Sequence, residues 1–191
     1  MKIGLFFGSY NPIHIGHLVI AEYIANYTDL DKVWLVVSPQ NPLKSKKGLS
    51  NTYDRLEMVR LAIEDSNQLA VCDIELKLPQ PSYTIDTLTY LSERYPEHEW
   101  TLIMGADNLA SIHKWKNFEL LLENYHIIAY PRPGIDAGTY AYHPHVQLVD
   151  APLMELSASF IREAIHHKKS VHYMLPARVW EFIESKGLYR H

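Results

Sequence analysis

The chain is densest in chemically useful residues at Gly8-Ser9-Tyr10-Asn11-Pro12-Ile13-His14-Ile15-Gly16-His17. This stretch follows Lys2-Ile3-Gly4-Leu5-Phe6-Phe7, whose nearly continuous apolarity suits a strand buried on both faces. Its glycines let a ligand approach the backbone closely, and the amides that open the next helix favour an anion. His14 and His17 are three residues apart, so they face the same spot if the helix begins near Ile15. Such a pair is weak evidence for a metal, and taken alone it is more often structural or solvated. Its position is what makes it informative, because open α/β sheets bind ligands beyond the carboxyl ends of their strands. A second cluster is Leu156-Ser157-Ala158-Ser159-Phe160-Ile161-Arg162. Ser157 suits a helix N-cap, and Arg162 carries a forked guanidinium on the next turn. The plainer reading is a capped amphipathic helix with Phe160, Ile161 and Ile165 in the core. No Ser/His/Asp or paired-carboxylate arrangement suggests hydrolysis.

The elements that must position these residues alternate. After the first strand, Leu18, Ala21, Ile24 and Ala25 share one face of a helix running to Tyr27, and Val33 to Val37 reads as a second buried strand. A helix with Leu56, Val59 and Ile63 follows, then a strand over Ala70 to Ile74, a helix near Ile85 to Glu93, a strand over Trp100 to Met104 and another over His126 to Tyr130. Parallel strands need crossovers that usually carry helices, so this order predicts a Rossmann-like α/β fold, an open, mostly parallel sheet with helices on both faces. Beyond Pro131 the chain becomes irregular before a short strand at Val146 to Val149 and a short C-terminal helical segment. Of its two helices, Ser157 would cap the first; Pro176 fits the first position of the second, and Gly187 its left-handed end.

With 191 residues, 47% of them hydrophobic, one domain over residues 1–191 is expected. The net charge of −4 excludes a global basic field of the kind that binds nucleic acid, so phosphate chemistry must rest on local positive charge. The lone Cys72 lies in an apolar run and reads as a core thiol of a reducing, cytoplasmic compartment. No apolar stretch is long enough for a membrane span, and no signal peptide is evident. The sequence leaves a homo-oligomer open.

The string G-S-Y-N-P-I-H-I-G-H resembles the signature loop of the nucleotidyltransferase superfamily related to class I tRNA synthetases, and the Leu156–Arg162 cluster resembles its second nucleotide motif. The resemblance implies that His14 and His17 contact the ATP phosphates and steady charge on the phosphoryl group under attack, while backbone near Gly8 and Ser9 binds phosphate and Tyr10 is counted with the ATP-binding residues. It implies that Ser157, at a helix start, leaves amides free for the β- and γ-phosphates, which Arg162 also meets. A mononucleotide phosphate is largely ionised at neutral pH, with a second pKa near 6, and needs no general base. Catalysis then reduces to alignment and charge neutralisation.

The middle of the chain resembles nicotinate mononucleotide adenylyltransferases in Gln40-Asn41-Pro42-Leu43-Lys44, Tyr53-Asp54-Arg55-Leu56-Glu57-Met58-Val59 and Pro81-Ser82-Tyr83-Thr84-Ile85-Asp86-Thr87. That resemblance implies mononucleotide contacts from Asn41 and Lys44, although relatives often have His where Leu43 stands. It also implies that backbone N–H groups near Tyr83 and Thr84 receive a carboxylate, which only accepts hydrogen bonds, in preference to a carboxamide. A plainer role is open, with Thr84 capping the helix and Asp86 complementing its dipole. Gly105-Ala106-Asp107-Asn108 is similar to the element whose acidic residue binds ribose hydroxyls; Trp115 falls where the family stacks the pyridine, and Arg132 matches an ATP-side position. ATP and nicotinate mononucleotide are the implied substrates, with Mg²⁺ arriving on ATP and no protein-built metal site. Two other readings stand beside this one: pantetheine-phosphate adenylyltransferase, and a nucleotide-binding sensor without catalysis.

Overall fold

The computed structural model describes residues 1–39 and 48–190. Six strands form one sheet: β1 (Lys2–Gly8), β2 (Lys32–Val37), β3 (Leu69–Cys72), β4 (Glu99–Gly105), β5 (His126–Tyr130) and β6 (Val146–Leu148). Their order is β3-β2-β1-β4-β5-β6, and every neighbouring pair is parallel. The sheet is thus entirely parallel, and the reversal of strand order beside β1 opens a crevice between the carboxyl ends of β1 and β4.

Helices α1 (Ile15–Tyr27), α2 (Thr52–Ile63), α6 (Ala158–His166) and α7 (Ala177–Lys186) cover one face; α3 (Thr84–Arg94), α4 (Ala106–Ala110) and α5 (Phe118–Asn124) cover the other. Alternate side chains of each central strand feed the two layers. Phe6, Val33, Leu35 and Ile103 point to the first, while Ile3, Leu5, Val36 and Leu102 point to the second. Each such buried aliphatic side chain contributes roughly 1.5–3 kcal/mol relative to exposure. No described helix is long and apolar enough to cross a membrane. The Cys72 thiol is free and buried, and burial pushes its pKa up to about 11.

Several local expectations need correction. The third strand stops at Cys72, because the backbone turns at Asp73 into a 3₁₀ turn over Ile74–Leu76 that carries Glu75 inward. Thr84 does not cap α3: the extended Tyr83 takes that place, without a side-chain cap, and Thr84 is the first helical residue. Pro176 likewise lies at the cap position, one residue before α7. Phe160 faces solvent, while Ile161 and Ile165 alone of that trio are buried. Helices α4 and α5 are five and seven residues long, too short to show a periodic stripe in sequence. Ser157 caps α6 by accepting from the Phe160 amide at 3.1 Å, and Gly187 ends α7 at φ 64°.

Candidate active site

The carboxyl ends of β1, β4 and β5 deliver Gly8, Gly105 and Tyr130 to one crevice. Gly8 is fixed by Tyr10, whose backbone is left-handed at φ 46°: the ring folds back so that its hydroxyl donates to the Phe6 carbonyl at 2.6 Å. A Cβ at position 8 would lie 2.8 Å from that ring. Tyr10, expected at the nucleotide, is only 1% exposed, so its side chain shapes the loop from beneath and only its backbone is left for a ligand. Gly105 has a matching reason, since a Cβ there would collide with the Asp107 carboxylate and sit 3.0 Å from Arg132 Nε. Asp107 and Arg132 form a 3.4 Å ion pair at this rim, and the guanidinium lies 5.3 Å from the Tyr130 ring centre.

His14 precedes α1 and His17 lies in its first turn; their rings stack at 3.7 Å between centroids with 28° between planes. The His14 backbone N–H donates to His17 Nδ1 at 3.2 Å. That bond makes Nδ1 an acceptor, which places the proton of the neutral ring on Nε2, where it is a donor. Burial lowers the His14 pKa to about 4, with the Arg132 charge adding to the effect. His17 is pushed well below its ordinary value by burial, then by His14 and Arg132. Both rings are therefore neutral at physiological pH.

This has a stability consequence. Between the ordinary histidine pKa of 6.5 and the folded value near 4, the unfolded chain binds a proton at His14 that the folded chain does not. Stability from this group is complete above pH 6.5 and declines as pH falls toward 4. Thermal unfolding of the ligand-free protein should show that decline, with a shallower slope in His14→Asn; equal slopes would contradict the burial of a neutral His14.

Arg162 reaches this loop from α6, 151 positions away, donating to the Asn11 carbonyl at 2.8 Å and to Ser159 Oγ at 3.2 Å. Its neighbour Leu156 comes close to the start of α1 beside Gly16. The Asn11 side chain binds in other directions. Its Oδ1 accepts from the Ser50 amide at 3.1 Å, Ser50 Oγ at 2.8 Å and the Tyr189 hydroxyl at 2.9 Å, and its Nδ2 donates to the Gly48 carbonyl at 2.8 Å. Burial holds the Tyr189 pKa up at about 12, so it stays a protonated donor.

Beneath the loop lies Arg55, 0% exposed and without a carboxylate partner among the described residues. It donates to the carbonyls of Ser9 (2.6 Å), Ser38 (2.7 Å), Pro39 (2.9 Å) and Ser50 (3.2 Å), and to Thr52 Oγ1 at 3.0 Å. The ends of β1 and β2 and the start of α2 are tied to one cation. Arg55, Asn11 and Tyr189 carry no role in the sequence reading. The available signal for Arg55 was its place three and four residues before Met58 and Val59, on the buried stripe of α2.

On the other face, Lys116 Nζ lies 4.8 Å from the Tyr83 ring centre and pairs with Asp86 at 2.8 Å. Lys116 thereby brings the start of α3 alongside Trp115, which is half-buried in an extended backbone after a 3₁₀ turn. Asn41, Leu43 and Lys44 lie outside the described residues. Among the described residues no group of three His, Cys, Asp or Glu could hold a metal ion.

The profile of the cytidylyltransferase-like family matches residues 5–164. A probable nicotinate-nucleotide adenylyltransferase of Flavobacterium johnsoniae is 50% identical over 192 residues, covering 100% of both chains. The chain belongs to the nicotinate-nucleotide adenylyltransferase family. A second member, from Cytophaga hutchinsonii, is 49% identical over 99% of this chain and 98% of its own. The family's fold is also seen in a Plasmodium falciparum nicotinic acid mononucleotide adenylyltransferase complexed with NaAD. That structure has a TM-score of 0.83 at 20% identity and covers 98% of this chain and 97% of its own. A putative family member from Vibrio parahaemolyticus scores 0.76 at 23% identity, over 100% and 96%.

Proposed function

We propose that the crevice between β1 and β4 transfers the adenylyl group of ATP to nicotinate mononucleotide, giving nicotinic acid adenine dinucleotide and pyrophosphate in NAD biosynthesis. The observation that carries the residue assignment is the clasp between Arg162 and the Asn11 carbonyl, which joins both phosphate motifs beside the stacked histidines. A mononucleotide phosphate oxygen attacks the α-phosphorus, the α–β bridge breaks, and the electron pair leaves on pyrophosphate.

Neutral His17 donates from Nε2 to the oxygens of the reacting phosphoryl group, and His14 packs against it. Gly8 and Ser9 offer backbone, while Ser157 and Arg162 hold the leaving phosphates at the start of α6. Asp107 accepts from ribose hydroxyls and Arg132 supports the ATP side. The acceptor lies toward α3, where the amides near Tyr83 and Thr84 take its carboxylate and Trp115 stacks its ring. Asn41 and Lys44 remain proposed contacts.

Asp107 at the rim is already paired with Arg132, and Mg²⁺ would arrive on ATP, held by its phosphates and water. Such an ion neutralises charge on the triphosphate. One domain in the cytoplasm suffices for this reaction.

A pyrophosphate-release assay tests the reading. Turnover with nicotinate mononucleotide should exceed that with the amide by about tenfold or more, since a carboxamide leaves backbone donors unpaired. Pantetheine phosphate should give none. Equal use of both pyridines would remove the role of the α3 amides, and ATP binding with no pyrophosphate release would favour the sensor reading.

A further inference from the structure

Glu75 is a buried carboxylate that the reaction does not use. It is 3% exposed, lies in the 3₁₀ turn after β3, and pairs with no cation among the described residues. Burying an unpaired carboxylate is costly, and here burial raises its pKa. What offsets that cost is a hydroxyl from the first turn of α3: Thr87 Oγ1 donates to Oε1 at 2.9 Å and favours the charged form. The Gln80 side chain donates to the Glu75 carbonyl at 2.6 Å. These partners come from the loop before α3 and the first turn of α3.

We infer that Glu75 is a positioning residue that holds the start of α3 open for the acceptor's carboxylate and so sets selectivity between acid and amide mononucleotides. This rests on the acceptor assignment above. A carboxylate only accepts hydrogen bonds, so it turns the Thr87 hydroxyl toward itself and fixes the first turn of α3 against the turn after β3. The helix start held in this way has no side-chain cap. Its first amides are left to a ligand that, like a cap, only accepts.

The test is steady-state kinetics of the full chain with ATP and each pyridine mononucleotide. Glu75→Ala should raise KM for nicotinate mononucleotide about tenfold and lower acid-over-amide selectivity by a similar factor, with KM for ATP within about twofold. Glu75→Gln, which retains an acceptor oxygen for Thr87, should recover most of both. Thr87→Val removes the donor from the opposite side and should shift the same two quantities in the same direction, which keeps the test open if Glu75→Ala fails to fold. Unchanged selectivity in the variants that fold, or an equal rise in both KM values with a lowered Tm, would show a structural role alone and overturn the inference. A wild-type protein inactive on nicotinate mononucleotide would remove the acceptor assignment itself and this inference with it.

Discussion

His17→Ala should lower kcat by about 10²–10³-fold, the cost of removing one preorganised donor from a developing anionic charge. The expectation rests on the His14 amide, which occupies Nδ1 and leaves the ring proton on Nε2 as a donor. Because burial keeps the ring neutral, the donor needs no reorganisation when charge builds on the phosphoryl oxygens. KM for ATP should change much less than kcat, since the bond strengthens in the transition state. His17→Asn, which keeps an N–H donor on a shorter side chain, should recover part of the loss. Thermal unfolding should move only slightly, as the half-buried ring loses mainly its stacking on His14 and its edge contacts with Phe6 and Tyr10. Near-normal turnover by His17→Ala would eliminate the proposed phosphate contact.

Arg55→Met acts on the scaffold. Met fills much of the aliphatic volume but donates nothing, so the carbonyls of Ser9, Ser38, Pro39 and Ser50 lose a shared donor at a fully buried position. Leaving buried acceptors unsatisfied costs about 1–3 kcal/mol each where water cannot enter, and partial solvation brings the expected total to about 3–4 kcal/mol. For a chain of this length that corresponds to a fall in Tm of roughly 10 °C. Arg55→Lys should lie between, because an ammonium donates to three partners where the guanidinium serves five. Calorimetry on the three proteins checks the order; a Met variant as stable as the parent would mean that the clamped carbonyls are served equally well by solvent.

The parallel sheet and the two segments that meet at its crevice were legible because each carries a local signal: long apolar strands, a glycine where β1 ends, and a serine one residue before α6. Much of the site was not local. Arg55 carries no local sign of its task, and only the meeting of the β1 and β2 ends beside it shows why a cation belongs there. Glu75 lay just past the strand expected to end at Ile74, yet the turn at Asp73 sends it inward to the Thr87 hydroxyl 12 residues downstream. Tyr10 shows the same limit from the other side: a left-handed backbone folds its ring into the core and leaves its main chain in the loop. Periodicity reports which face of an element is apolar. It does not report which carbonyls lack a donor once several strand ends converge.

The link between Asn11 and Tyr189 spans almost the whole polypeptide, 178 positions in all. A chain synthesised from its amino end displays the glycine-rich turn first and acquires the groups that brace it last, with Arg162 and then Tyr189. A nascent copy that stops short of those residues therefore carries the turn without the brace that steadies it, and the crevice takes its final shape only once Tyr189 has emerged.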